Sequence, residues 1–306
     1  MRTRFPAARP LLALLAGLAL TACHPGNQEA KRLDQACEAG ADSACHQLAV
    51  RLQKGQYVLR DDARAATLFT RACDGGVGDG CASVGAMYQR GTGVKRDSAR
   101  AAALFAQGCA RGGMDGCTRL GELHQRGAGV PHDVARAAAL FRQACDGRQL
   151  LGCARLGALH ASGEGVAQDV ALAATLFRKS CDAKVAPGCL GLARLTLVGA
   201  GVPRNDSVAV ALFERSCEGQ EVAACFQLGG LYESGQGAPQ KFDRAARYYR
   251  EACEDRHGEA CARLAGLYEK GAGVHRDAEQ ATEYRKEACR FGYQDACPPR
   301  STARAS

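Results

Sequence analysis

Two cysteines separated by seven residues recur eight times along the chain. The pairs are Cys37/Cys45, Cys73/Cys81, Cys109/Cys117, Cys145/Cys153, Cys181/Cys189, Cys217/Cys225, Cys253/Cys261 and Cys289/Cys297. Each pair begins 36 residues after the previous one, with no insertion or deletion, and only Cys23 of the 17 cysteines stands outside. A period held this strictly is the signature of a repeat array, in which each unit buries its apolar face against its neighbours. A chain of 306 residues would otherwise suggest about two globular domains. The period argues instead for one array.

The unit from Cys117 to Cys145 shows what each copy folds into. Cys117, Leu120, Gly121 and His124 fall at i, i+3, i+4 and i+7, the stripe of an amphipathic helix, here called helix A. The second cysteine of each pair thus reads as its start. Helix A closes at Arg126-Gly127, where glycine can take the left-handed conformation at little cost. A glycine-rich turn follows, with Val130 as its apolar anchor. Asp133 is a good N-cap for helix B, whose stripe is Ala137, Leu140, Phe141 and Ala144. Helix B ends at Cys145-Asp146-Gly147. Closing glycines recur at Gly55, Gly91, Gly127, Gly163, Gly199, Gly235 and Gly271, so seven helical hairpins are predicted. Glycine inside helix A at Gly85, Gly121, Gly157 and Gly229 costs about 1 kcal/mol relative to alanine. Its recurrence argues for close approach of two helix backbones. Residues 28–37 read as a lone helix B covering the first hairpin. At the other end Cys297 would begin an eighth helix A, but Pro298-Pro299 stops it, and residues 298–306 read as a disordered tail.

The motif Leu-Gly-x-x-His/Tyr-x-x-Gly-x-Gly-Val-x-x-Asp, at Leu120 to Asp133 and Leu156 to Asp169, resembles the Sel1-like repeat family, a relative of the tetratricopeptide repeat. With a cysteine pair in every copy, the chain looks closest to the disulfide-rich branch typified by the Helicobacter cysteine-rich proteins. The expected fold is therefore all-α: a right-handed αα-solenoid of seven 36-residue hairpins over residues 33–297.

The N-terminal region points to export. Arg2, Arg4 and Arg9 precede an apolar run from Leu11 to Leu20, too short to span a bilayer and right for a secretory signal over residues 1–22. Leu20-Thr21-Ala22-Cys23 resembles a bacterial lipobox. The resemblance implies cleavage before Cys23 and a lipid anchor on its thiol and amine, followed by a tether over residues 23–32. His24 replaces the aspartate that retains enteric lipoproteins at the inner membrane, which favours the outer membrane. The formal charge of +8 falls to about +5 once the three signal arginines leave. Acids are interleaved throughout and there is no tryptophan, so no nucleic-acid footprint is present.

In an exported chain, paired cysteines persist as disulfides. Zinc sites usually separate ligands by two to four residues and gather four of them. The seven histidines do not track the cysteine pairs, so eight local disulfides are expected, with no metal and no cofactor. His124 and His160 occupy equivalent positions, where Tyr88, Tyr232 and Tyr268 stand in other copies; this reads as packing. Asp97, Asp133, Asp169 and Asp277 all precede helix B and read as caps. Members of the cysteine-rich branch are described as penicillin-binding or weakly β-lactamase-active, and the resemblance implies β-lactam or peptidoglycan-fragment binding as an alternative function. Yet the chain has no Ser-x-x-Lys, Ser-Asp-Asn or Lys-Thr-Gly motif, and Ser83 lies on a helix without a nucleophile elbow. An envelope assembly or redox-handling role is a third possibility.

The reading favoured by the residues is a non-catalytic envelope protein that binds a protein or peptide. Solenoids present a concave face lined by helix A. Positions expected to face outward there vary between copies: Arg119, Glu122, Arg155, Arg194, Leu197, Phe226 and Arg263. Arginine and aromatic residues dominate the energetics of interfaces.

Overall fold

The computed structural model describes residues 25–297. The expected signal peptide, Cys23 and the 298–306 tail lie outside the described residues. Fifteen α-helices and one short 3₁₀ turn account for the regular structure among them, with no strand. None of these helices is long and apolar enough to cross a membrane. The chain divides into two compact units, Met1–Gly147 and Arg148–Ser306.

The first unit contains α1 (Pro25–Glu38), α2 (Asp42–Lys54), α3 (Asp62–Asp74), α4 (Gly78–Arg90), α5 (Ser98–Ala110), α6 (Met114–Arg126) and α7 (Val134–Asp146). Helix α1 is the lone helix B, and three A–B hairpins follow it. The second unit contains four hairpins: α8 (Leu150–Ser162) with α9 (Val170–Asp182), α10 (Ala186–Val198) with α11 (Asp206–Glu218), α12 (Val222–Ser234) with α13 (Phe242–Glu254), and α14 (Gly258–Lys270) with α15 (Ala278–Arg290). Within each unit a helix packs against its neighbours in sequence, and α4 meets α6 as α8 meets α10. Both units are therefore segments of αα-solenoid, as the repeat requires.

Local chemistry explains the helix ends. The seven closing glycines are left-handed, from Gly55 at φ 65° to Gly235 at φ 78°. Asp97, Asp133, Asp169 and Asp277 each accept a backbone N–H from the first turn of helix B, as Arg136 N donates to Asp133 Oδ1 at 2.8 Å.

The cysteines pair locally throughout. Disulfides join Cys37 to Cys45, Cys73 to Cys81 and Cys109 to Cys117 in the first unit, with Cα–Cα distances of 4.7, 4.5 and 4.6 Å. In the second unit they join Cys181 to Cys189, Cys217 to Cys225, Cys253 to Cys261 and Cys289 to Cys297, at 4.5, 4.8, 4.8 and 4.8 Å. Cys145 and Cys153 are disulfide-bonded as well. Such persistent pairs belong to an oxidising, exported compartment. Each nine-residue loop closure contributes about 2.5 kcal/mol in the chain-entropy model.

The structure corrects three expectations and agrees with another. First, the second cysteine of a pair does not start helix A. Cys45, Cys81, Cys117, Cys153, Cys189, Cys225 and Cys261 each stand at the fourth residue of their helix, α2 beginning at Asp42 and α10 at Ala186. Only a three-residue turn separates helix A from the helix B before it, so the helix must resume ahead of the cysteine. Second, and as expected, no eighth helix A opens at Cys297. A 3₁₀ turn, Gln294–Ala296, precedes it, and Cys297 is extended at ψ 140°, the conformation that a following proline imposes.

Third, the glycines inside helix A do not meet another backbone first; they seat the aromatic ring of helix B. A Cβ at Gly121 would lie 2.6 Å from the Phe141 ring, and one at Gly229 would come still closer to Tyr249. Close backbone approach occurs instead one residue before the second cysteine. A Cβ at Gly116 would stand 2.8 Å from Phe105 O and 3.0 Å from Cys109 N. Finally, α1 begins at Pro25, three residues ahead of the expected lone helix, and takes up the end of the expected tether. Ala30 is buried against Leu48, Ala49 and Leu52, which gives that helix turn an apolar partner.

The glycine geometry makes opposite predictions for two similar changes. Gly121→Ala forces a methyl into a fully buried ring and should lower the melting temperature, since overpacking costs about 1–3 kcal/mol. Gly266→Ala, in helix α14 with no neighbour within 4 Å of the new Cβ, should raise it through a helix gain of about 1 kcal/mol. Thermal melts of the two variants check both signs.

Candidate interaction surface

One aromatic column fills the interior of the first six repeats, and the seventh has Arg285 at the equivalent position. Phe69, Phe105, Phe141, Phe177, Phe213 and Tyr249 repeat every 36 residues, and none is more than 5% exposed. His124 and His160 are buried, each with Nδ1 3.1 Å from a turn carbonyl, Pro131 O and Ala167 O respectively. A carbonyl only accepts, so Nδ1 carries the proton and the imidazole ties helix A to the following turn. Both histidines serve packing and loop closure. The structure also brings Ser83 Oγ within 3.4 Å of His46 Nε2, a pairing the sequence does not announce. That distance is long for a nucleophile and its base, and the His46 ring rests on Phe69 at 5.4 Å between centroids. Burial lowers the pKa of His46, with Asp79 opposing.

Carboxylates approach two of the disulfides: Glu251 Oε2 lies 3.4 Å from Cys217 Sγ, and Glu287 Oε2 lies 3.6 Å from Cys253 Sγ. With the sulfurs committed to disulfides, neither cluster offers the thiolates that a zinc site uses. The sulfurs of Cys45, Cys81 and Cys189 are buried at the helix junctions, where they brace the array. Cys297 is only partly buried, at the open end of the last staple.

Side chains suited to recognition converge in the second unit. Six of the eight tyrosines lie between residues 232 and 293, interleaved with arginines. Helices α12 and α14 border an open cleft of about 360 Å³, lined by Phe226, Gln227, Gly230, Glu233, Ser234, Glu259 and Arg263, with Tyr249 of α13 at its base. Phe226 stacks on His257 at 4.4 Å and tilts against Tyr249 at 5.9 Å. Tyr249 donates to Glu233 Oε2 at 2.6 Å; burial, then this carboxylate, pushes its pKa well up. Arg263 holds Glu259 at 3.5 Å from the cleft wall. Gly230 contributes no side chain, which leaves the cleft open. A ring, a guanidinium and two carboxylates around an open cleft can take an apolar side chain together with a charged one.

The structure distributes the other expected binding residues differently. Arg119 and Glu122 belong to the first unit, where Arg119 pairs with Asp115 at 2.5 Å and lies 6.0 Å above the Phe105 ring. Arg155 is half-buried, whereas Arg194 is exposed. Leu197 is partly buried against the apolar core. Only Phe226 and Arg263 of the seven share the cleft. The sequence does not identify Tyr249, Glu233 and Glu259 as their companions, although Tyr249, the one tyrosine in an otherwise phenylalanine column, is the available signal.

The stacked hairpins, their left-handed glycine caps and the stapled helix ends define an αα-solenoid repeat protein. Seven Sel1 repeats match, over residues 42–77, 78–113, 115–148, 150–185, 186–220, 222–257 and 258–292, and the chain belongs to the Sel1 repeat family. Among solved structures it is similar to a protective antigen of uropathogenic Escherichia coli, with 29% identity, 86% of this chain covered and a TM-score of 0.63. The chain spans 57% of that antigen's length. A Sel1 repeat protein of Oxalobacter formigenes shares the fold at 19% identity and a TM-score of 0.68, covering 80% of this chain and 96% of that one. Helicobacter pylori cysteine rich protein B matches at 30% identity over 44% of this chain and 97% of its own, with a TM-score of 0.35. A comparison with curated proteins finds no significant match.

The His46 environment predicts a pH effect. Its folded pKa lies below the ordinary 6.5, so its contribution to stability is fully present above that value and is lost as pH falls through the folded pKa. Melting temperatures of wild type and His46→Phe should diverge between about pH 7.5 and 5, with the wild type losing more.

Proposed function

We propose that this protein is a lipid-anchored, non-catalytic component of the bacterial envelope that binds a protein or peptide through the helix-A surface of its repeats. Sel1 repeat proteins bind protein partners. The observation that carries the reading is the convergence of Phe226, Tyr249 and Arg263 on one cleft. Such residues supply most of the binding energy when water is excluded around them. Glu233 and Glu259 favour a partner segment with a basic group beside an apolar one. The lipobox resemblance at Leu20 to Cys23 supports anchoring, and His24 supports the outer membrane.

A photocrosslinking residue introduced at Gln227, inside the cleft, tests this in intact cells. The expected result is a discrete adduct identified by mass spectrometry. Adding Phe226→Ala with Arg263→Ala should reduce it at least tenfold, since loss of two such contacts costs upward of about 1.4 kcal/mol. An adduct unchanged by the double substitution contradicts the assignment of the cleft. Nitrocefin turnover by purified, oxidised, metal-free protein would overturn the non-catalytic reading.

A further inference from the structure

The turn of the first hairpin departs from every other turn in the chain. At the second turn position, six repeats carry a glycine with positive φ, from Gly93 to Gly273, and Gly93, Gly129, Gly201, Gly237 and Gly273 each sit against the start of the preceding helix B. A Cβ at Gly129, for example, would lie 2.7 Å from Ser98 O. In the first hairpin the position is Tyr57, which accepts the same left-handed conformation at φ 61° despite its side chain. Its ring lies directly on Gly26, which stands 36 residues before Asp62, the residue that meets Gly93. Ring and glycine have thus exchanged sides, and the exchange locks the turn to the first residues of α1. Two positions later stands Leu59, 92% exposed. The equivalent residues elsewhere are Lys95, Pro131, Ala167, Pro203, Pro239 and His275. A leucine at the tip of this turn has no packing role.

We propose that the Tyr57–Leu59 turn is a membrane-contacting tip, seated in the bilayer interface beside the anchor at Cys23. This inference rests on the lipidation proposed above. Cys23 lies three residues before Gly26, a reach of no more than about 11 Å. Tyr57 packs on Gly26, so an anchor held at the lipid surface brings this turn to the same surface. The chemistry suits that depth. A half-exposed tyrosine ring sits well among headgroups, and an exposed leucine reaches the acyl boundary below. Charges near the tip are largely matched: Arg60 holds Asp62 at 2.8 Å, Arg64 holds Asp34 at 2.8 Å and Arg51 holds Glu29 at 2.7 Å. The tip gives the first hairpin a fixed orientation on the membrane, where a flexible tether would leave it free to tumble.

The chain has no tryptophan, so Leu59→Trp introduces a single indole at the tip. The acylated protein, its modification confirmed by intact mass, is reconstituted in phosphatidylcholine vesicles with and without shallow-brominated lipid. The expected result is a blue-shifted emission that loses about half its intensity to the bromine, since interfacial side chains reach about 5–10 Å into the boundary. A second variant, His132→Trp in the turn two repeats away, should stay unquenched. Solvent-like, unquenched emission at position 59 in acylated, vesicle-bound protein overturns the inference and leaves the anchor standing. A blue shift that appears without vesicles and rises with protein concentration assigns the tip to a second copy, and also overturns it. An unmodified Cys23 in the intact mass removes the anchor and the inference together.

Discussion

Within each unit a disulfide joins the last turn of one helix to the first turn of the next across a gap of three residues, and Cys289–Cys297 ties the last helix to the extended residue after the 3₁₀ turn. That one constraint organises much of what surrounds it. Cα atoms 4.5–4.8 Å apart leave no room for a side chain between the helix ends. Accordingly, the residue before each second cysteine is glycine or alanine in every copy. Ala44 precedes Cys45, Gly80 precedes Cys81, Gly188 precedes Cys189, and Ala296 precedes Cys297 even where no helix follows. The staple also acts where a solenoid is weakest, since each repeat is held only by its neighbours. A nine-residue loop contributes about 2.5 kcal/mol, a sizeable share of the 5–15 kcal/mol typical of a whole domain.

Period, helix number, closing glycines and N-cap aspartates are all legible in the sequence because each depends on residues close along the chain. Most of what escapes reading depends on contacts between helices, 16 or more residues apart along the chain. The glycine at position 121 looks like a helix-crossing point, yet its space belongs to the Phe141 ring; only the three-dimensional pairing distinguishes the two. The apolar stripe places the start of helix A too late, at Cys45, Cys81 or Cys189, because the first turn before each cysteine carries no stripe of its own. Residues 25–27, ahead of the expected lone helix, look polar enough to stay unpacked. Ala30 facing Leu48 and Leu52, and ion pairs from Glu29 and Asp34 to α2 and α3, hold α1 in place.

The candidate surface shows the same division. Variation at outward positions of helix A is visible, and it names Phe226 and Arg263. Their convergence with Tyr249 and Glu233 is not visible, because Tyr249 sits on helix B in a column otherwise read as core. A hydroxyl on that column is what turns a packing ring into a group that reaches the cleft and takes up Glu233. The Tyr57–Gly26 exchange is equally hidden: the sequence shows a missing glycine at 57, and only the fold shows that its counterpart lies at 26. The proposed recognition and attachment surfaces are thus both departures within a framework whose regular positions serve packing.

The staples hold the array together and leave function to the helix faces. Hydrogen exchange followed by mass spectrometry, on oxidised protein and on protein reduced and alkylated, is the decisive measurement. Reduction should remove protection first at the helix ends around each cysteine pair and then along the helices between them. Protection that is the same in both forms, helix by helix, would contradict it.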